Sequence, residues 1–474
     1  MSMKIALQTL LIFLIAASSA FAQSSGQEKE DEPFRNEPFF SKPVEELLKR
    51  PGKDSVESDS VTRDYDYYLN TLNEDGIDLS GAIESGPYRS NPLYSVYPNL
   101  PMIHFNRVDA LFLGIRRERM QWFNHDNFLG VPGINPHGLI GYSFGQDEWQ
   151  YVLGLEKYLG RKNRVIIGGE YHSATTTDDY WRVGLIETSL TSFMGGYDFQ
   201  DYYKQEGLGA YVLFRTKRLF EGGVAYNDDR YSSQLRQTDW ALFGAGNRYR
   251  ANPPVEFING NAIDTVSLSS LTFNASFNPK RLVLSKYYTF SLNGQLELGD
   301  SGIASSDYSY TKFLGEMINY YNFERGGLLK HRLRIGSISG NAPLFKQFQL
   351  GGIGTLRALP YKSLPFDSQL LGGNQMILSN TEVHFGTPSW KGGDWIDFDD
   401  FYISLFLDSG WAAYESELED ASGPFNGFSS FSFSDLKHNG GIGAGSSSIR
   451  AELAWDLNNT GRAPVLWIRF NPTF

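Results

Sequence analysis

The sequence predicts an all-β fold, a transmembrane antiparallel β-barrel of roughly 16 strands. Three observations predict it: an export-type N-terminus, apolar/polar alternation in segments of about ten residues, and a terminal strand that closes on an aromatic residue.

The N-terminus has Lys4, then the apolar run Ile5 to Ala17, then Ala20, Phe21 and Ala22 before Gln23. Charged, apolar and small residues in that order read as a cleavable signal peptide over residues 1–22. The run is too short for a membrane-spanning helix, and no later segment supplies the roughly 18 consecutive apolar residues that one needs. The chain has no cysteine, so disulfides, thiolate nucleophiles, lipidated cysteines and Cys-ligated zinc are excluded. Its 34 Phe, 27 Tyr, 9 Trp and 49 Gly accompany a mean hydropathy of only -0.33. That balance suits strands with one face in lipid and the other in water. The net charge of -12 argues against nucleic acid as a partner, because phosphate binding needs a concentrated Lys/Arg surface.

Residues 23–99 form an acidic extension rich in charge, Ser and Pro, as in Gln27 to Pro33 and Lys53 to Ser60. Val44 to Arg50 and Asp64 to Leu72 suit short helical turns, but no pattern of a folded domain is visible. The extension is expected in the periplasm, largely disordered, with 77–99 a candidate for docking in the lumen.

The barrel is expected over 100–474. Between Lys286 and Gly299, Phe290, Leu292, Leu296 and Leu298 share one face, and Ser291, Asn293, Gln295 and Glu297 share the other. Alternation alone also fits a soluble sandwich; strand length, charged inner faces and short turns alternating with long loops favour the membrane. Strands are expected to start near Met102, Pro136, Glu148, Asn163, Glu206, Leu219, Ile263, Lys286, Ser306, Leu328, Gly372, Phe401, His438, Ile449 and Ala463. These are about 15, and since single-chain barrels are even-numbered one more is expected, within 179–203 or 238–255. The last strand carries Leu466, Ile468, Phe470 and Phe474 on one face, the pattern of a terminal sorting strand.

A connection of about 30 residues separates the strands that end near Gly340 and start near Gly372, too long for a simple hairpin. It holds Phe348, Leu350, Gly351 and Gly352, then Leu356, Arg357 and Tyr361. Further on come Asn380 to Phe385, Leu405 to Gly410 with Asp408 and Gly410, and Gly441 to Gly445. In this order the motifs resemble the BamA/TamA-type superfamily of outer-membrane assembly and translocation barrels, also called the bacterial surface antigen family. The resemblance covers 101–474. It implies that the long connection is the sixth extracellular loop, folded into the lumen with Arg357 at its tip. The sequence departs from the family at the tip glycine, where Ala358 stands.

Strand parity bears on the same point. Ile403, Leu405, Leu407 and Trp411 share a face, which turns Asp408 inward; the same count turns Glu382, Arg450, Glu452 and Asp456 inward. Asp408 and Glu382 are therefore candidate partners for a bidentate lock on Arg357. On parity alone, a solvated Arg357 and a water-facing Asp408 are the better-fitting reading, because lumen faces are polar by default; the resemblance is what favours the lock.

Enzyme readings are weak. Gly141, Ser143 and Gly145 match Gly-x-Ser-x-Gly, but inside an alternating strand and not at a strand-turn-helix elbow. The seven histidines show no metal-binding spacing; His384 with a lumenal serine is the one hydrolase arrangement left open. No catalytic residue, cofactor or metal is expected. The resemblance implies a barrel without periplasmic POTRA domains in the outer membrane of a Gram-negative cell. It would help insert or export a polypeptide, or a lipid, through a weak seam between the first strand, Met102 to Arg116, and the last, Val465 to Phe474. Expected partners are outer-membrane lipid and a polypeptide client or accessory subunit met through 23–99. The alternative is a passive channel or structural barrel without a client.

Overall fold

The computed structural model describes residues 101–117, 134–159, 165–216, 220–243, 248–258, 261–278, 288–299, 306–323, 327–365, 372–386, 401–421, 423, 427–428, 430–446 and 449–470. The expectations for 1–99 and for Phe474 lie outside these residues.

Sixteen strands form one antiparallel sheet in which each strand pairs with its neighbour in sequence. They are β1 (Pro101–Asn106), β2 (Ala110–Arg117), β3 (Ile134–Ser143), β4 (Glu148–Leu159), β5 (Val165–Thr176), β6 (Tyr203–Thr216) and β7 (Phe220–Ser233). After a separate hairpin, β8 (Glu256–Ile258) and β9 (Asn261–Ile263), the sheet continues with β10 (Thr265–Phe277), β11 (Tyr288–Gly299), β12 (Ser309–Phe323) and β13 (Gly327–Asn341). It ends with β14 (Gln375–Gly386), β15 (Tyr402–Ala413), β16 (Lys437–Gly445), β17 (Ile449–Asp456) and β18 (Val465–Phe470). One α-helix, α1 (Leu185–Gly195), lies in the connection between β5 and β6. Among the described residues no helix is long and apolar enough to cross a membrane.

The sixteenth strand is not in either place expected. The stretch Met102 to Arg116 is a hairpin of two strands, with Phe105 opposite Leu111. Its break is chemical: the Asn106 side-chain oxygen accepts from the Val108 and Asp109 N–H groups at 2.8 and 2.6 Å, and Ala110 takes a positive φ of 51°. Parity conceals the turn, because Met102, His104, Asn106, Phe112 and Arg116 all face inward on even numbers across it. The segment 179–203 instead contains α1, and the described residues of 238–255 contain no strand.

Side chains sort as a membrane barrel requires. Ile115, Leu153, Leu405 and Leu466 are 67%, 52%, 51% and 64% exposed, while Glu156, Glu297, Arg332 and Asp408 are buried on the other face. That inner face surrounds the connection between β13 and β14. Phe345 of this connection packs against Tyr203 of β6 and Tyr231 of β7, with ring centroids 4.8 and 4.6 Å apart. Its main chain also takes hydrogen bonds from Lys312 of β12 and Trp467 of β18. A sheet whose sixth, seventh, tenth and last strands all face one loop is wrapped around that loop.

Connections on the rim that carries this loop are numbered from the β1–β2 turn: loop 1 (107–109), loop 2 (144–147), loop 3 (177–202), loop 4 (234–264), loop 5 (300–308) and loop 6 (342–374). Loop 6 is thus the sixth on its rim.

Candidate functional site

Loop 6 is built as a compact fold inside the sheet. A 3-10 turn over Leu344–Lys346 leads to two bridges, Phe348 with Gly373 and Leu350 with Leu364. Between them Gly351, Gly352 and Gly354 take φ values of 119°, 82° and 75°, the left-handed region where glycine carries no Cβ penalty. At Gly354 a Cβ would also collide with the Arg182 carbonyl of loop 3. The Gly352 N–H bonds to the Leu356 carbonyl at 3.0 Å, which closes the turn and presents Arg357. Leu350 and Leu356 are fully buried and lie over Gly410, where any side chain would crowd them.

Arg357 meets four strands. Its Nε and one terminal nitrogen each reach Asp408 of β15 at 2.8 Å, a bidentate fork. The other terminal nitrogen lies 2.8 Å from Glu382 of β14 and 3.1 Å from Glu452 of β17. The Phe406 ring stacks beneath the guanidinium, its centroid 3.5 Å away. The Arg357 carbonyl accepts from the Trp467 indole N–H of β18 at 2.8 Å. Around this core, Arg450 lies 3.1 Å from Glu382 and 2.6 Å from Glu452. Arg332 donates to Asn380 at 2.7 Å, and Asn380 donates to Asp408 at 2.7 Å. Three arginines thus balance three carboxylates in a buried cluster, the condition under which burying charge is tolerable.

Ala358 fits where the family has glycine, because its φ is not positive. Its N–H donates to Asn439 at 3.0 Å, and its methyl group packs with Phe406 and Ala454. Tyr361 turns away from the cluster: its hydroxyl donates to the Phe199 carbonyl of loop 3 at 2.5 Å, and the Arg250 guanidinium sits 4.5 Å above its ring. Leu466 and Ile468 point outward, exposed, on β18, and Phe470 shares their parity.

A second ionic hub joins the loops. Asp201 of loop 3 meets Arg107 of loop 1 at 3.1 Å, Lys362 of loop 6 at 2.7 Å, and Arg250 of loop 4. Asp198 holds Arg107 at 3.1 Å, and Lys362 also reaches Asp179 at 2.7 Å. Burial alone would raise the Asp201 carboxyl, but Lys362, Arg250 and Arg107 outweigh it and hold it well below the usual carboxylate range. In the β1–β2 turn, burial is likewise outweighed at Asp109, where hydrogen bonding and charge from His104, with Asn106 and Ser143, hold the carboxyl at about 2. Beside this hub lies a cavity of about 560 Å³ lined by both signs of charge, among them Lys312, Arg334, Glu297 and Asp178.

Ser143 ends β3 at the tight turn into β4, and its hydroxyl donates to the Asp109 carbonyl at 3.4 Å. The next element is a strand, so the helix that a nucleophile elbow needs is not there. His384 stacks on Tyr402 with centroids 4.2 Å apart and lies 2.8 Å from Glu382, where it supports the cluster. Sequence reasoning missed the Asn380 and Arg332 links, the Trp467 hydrogen bond and the Asp198–Asp201 hub. The first two follow from inward parity; the hub sits in loops, where parity is silent.

An Omp85 superfamily domain matches residues 144–458. No curated protein matches the chain. Among solved structures, BamA from Haemophilus ducreyi lacking POTRA domains 1-3 is similar at 13% identity, with 87% of this chain and 77% of that chain covered and a TM-score of 0.45. CdiB from Acinetobacter baumannii is similar at 11% identity, covering 73% of this chain and 53% of that chain, with a TM-score of 0.37. CdiB from Escherichia coli shares 10% identity over 79% of this chain and 62% of that chain, with a TM-score of 0.38. The family match spans well over half of a sequence whose sixteen-stranded sheet encloses its own sixth loop, and the chain belongs to the Omp85 superfamily of outer-membrane assembly and translocation barrels.

Proposed function

We propose that this barrel helps insert or export a polypeptide at the outer membrane, without a cofactor and without catalytic chemistry. The observation that carries the reading is the grip of loop 6: Arg357 binds β14, β15 and β17 through its side chain and β18 through its carbonyl. A loop tied to the last strand supports the wall beside a seam in which no ladder joins the described residues of β1 and β18. Strands β1 and β18 are the two ends of the sheet. Unpaired strand edges accept a partner strand, which is how a client would engage. The acidic extension 23–99 is the proposed contact for an accessory subunit.

The test is deletion of the gene followed by comparison of surface proteomes, with complementation by wild type and by Arg357→Ala. Loss of a specific surface protein, restored by wild type and not by Arg357→Ala, supports the reading. An unchanged surface, together with steady bilayer conductance that Arg357→Ala leaves unaltered, points to a passive channel instead.

A further inference from the structure

Between the two ends of the sheet stands a helix. The Phe105 N–H of β1 donates to the Ser189 hydroxyl of α1 at 3.3 Å. On the other side, the Phe470 N–H of β18 donates to the Glu187 carboxylate at 3.2 Å, and the Arg469 guanidinium grips the same carboxylate at 2.6 and 3.0 Å. Residues two apart on an α-helix point in directions ~200° apart. One helix therefore holds a backbone N–H of each terminal strand, from opposite sides. Among the described residues no hydrogen bond pairs these two strands with one another.

The remaining positions of α1 sort in the same sense as the strands of the sheet. Leu185, Thr188 and Ser192 are buried on one face, whereas Leu190 and Met194 are 36% and 38% exposed on the opposite one, flanked by half-buried Ile186 and Phe193. A helix lying free in a water-filled lumen would turn its polar residues to the open side; this one turns apolar residues there. Phe193 and Trp240 pack against Phe105 with centroids 5.7 and 5.8 Å away, and Phe105 has the outward parity of exposed Ile103. Past the helix, the Leu242 and Phe243 N–H groups donate to the Phe193 and Met194 carbonyls, and Trp240, Leu242 and Phe243 extend the exposed apolar surface. Gly196, with φ 75°, ends the helix and returns its N–H to Ser192.

We infer that α1 is a wall element of the barrel, standing in the seam with its apolar face to lipid and its polar face to the lumen, and that it keeps the β1 and β18 edges occupied until a client strand displaces it. A helix suits this position because it satisfies its backbone internally, which lipid demands. It also suits a gate, because a few side-chain hydrogen bonds hold it where a ladder of backbone bonds would hold a strand. The displacing ligand is an extended segment that offers its own N–H and C=O groups to the two edges with apolar side chains on alternate positions. The wall placement stands on geometry alone, while the displacement rests on the proposed function.

Because the chain has no cysteine, single thiols report cleanly. The full chain would be reconstituted in lipid vesicles carrying Leu190→Cys, Met194→Cys or, as an aqueous reference, Phe433→Cys, a residue 81% exposed in the β15–β16 connection. A charged maleimide is expected to label the two helix positions at least about ten-fold more slowly than the reference, and a lipid-soluble maleimide is expected to label them readily. Equal rates with the charged reagent overturn the wall placement. For the gate, a reducible bis-maleimide would join Glu187→Cys to Arg469→Cys in cells. The linked barrel, checked for folding by its unheated gel mobility and compared with the unlinked double variant, is expected to lose delivery of the surface protein that deletion removes, and to regain it on reduction. Undiminished delivery with the link in place overturns the gate and leaves the proposed function standing. If deletion itself removes no surface protein, the proposed function falls and the gate with it, while the labelling still decides the wall placement.

Discussion

The ionic cluster under loop 6 and the seam between β1 and β18 solve the same task, holding strands by side chains, at different densities. At the cluster, Arg357 alone reaches Asp408, Glu382 and Glu452, on strands that are also paired along full ladders. At the seam, one carboxylate and one hydroxyl of α1 hold two strand edges with no ladder between them among the described residues. Breaking the first should unfold a region; breaking the second should loosen an edge. The contrast teaches that the rigid part of this wall lies beside the part built to yield, with Trp467 joining β18 to the rigid side.

Removing the Arg357 side chain is the largest perturbation, because it leaves three buried carboxylates short of a partner. Arg357→Ala is expected to cost about 3–5 kcal/mol, the range for breaking a buried ion pair, read as a fall in the temperature at which the folded gel band shifts. Exchanging the charges of 357 and 408 restores little, since Glu382 and Glu452 then face a third carboxylate. Wild-type behaviour of Arg357→Ala would place the cluster's strength elsewhere.

At the seam, Glu187→Ala removes the fork to Arg469 and the acceptor for Phe470. The expected loss is about 1.5–3 kcal/mol, the worth of hydrogen bonds to a charged group, and it should be local. Amide exchange is expected to rise in β18 and α1 and to stay unchanged in β12 and β13. A uniform rise across the sheet would show that seam and cluster unfold as one.

The loop hub gives an acid signature. Because the Asp201 carboxyl sits below its unfolded value when folded, the unfolded chain binds protons first as pH falls. Its contribution is complete above about pH 4, the unfolded carboxylate value, and is lost progressively below it. Asp201→Asn should lower the melting temperature at neutral pH and flatten this acid limb; an acid limb as steep as wild type would assign it to other carboxylates. Smallest is Ser189→Ala, expected to cost about 0.5–1.5 kcal/mol for one neutral hydrogen bond and to speed exchange at Phe105.

Much of this was legible in the sequence where periodicity carries the signal. The inward parity of Asp408, Glu382, Arg450 and Glu452 is what brings them to one cluster, and Leu350 to Arg357 could be placed as an infolded tip by resemblance. The number of strands was also within reach, although the turn at Asn106 to Asp109 was hidden because alternation runs through it without a phase change. The helix was not legible: Leu185 to Gly195 is short, lacks a side-chain N-cap, and carries Thr and Ser at positions that read as loop. Its place depends on tertiary contacts with two strand ends that are about 80 and 280 residues distant in sequence.

The central claim, that a helix and not strand pairing fills the seam, is tested most directly by cysteine cross-linking between Phe105→Cys and Phe470→Cys. These residues flank α1 at nearly the same level, since 187 and 189 differ by only ~3 Å along the helix axis. A disulfide requires Cα atoms within about 7 Å, which neighbouring strands allow and an intervening helix forbids. Oxidation of the resting barrel is expected to give no 105–470 disulfide, alongside ready cross-linking of the paired control Ala451→Cys with Ile468→Cys. A 105–470 yield equal to that control would contradict the account.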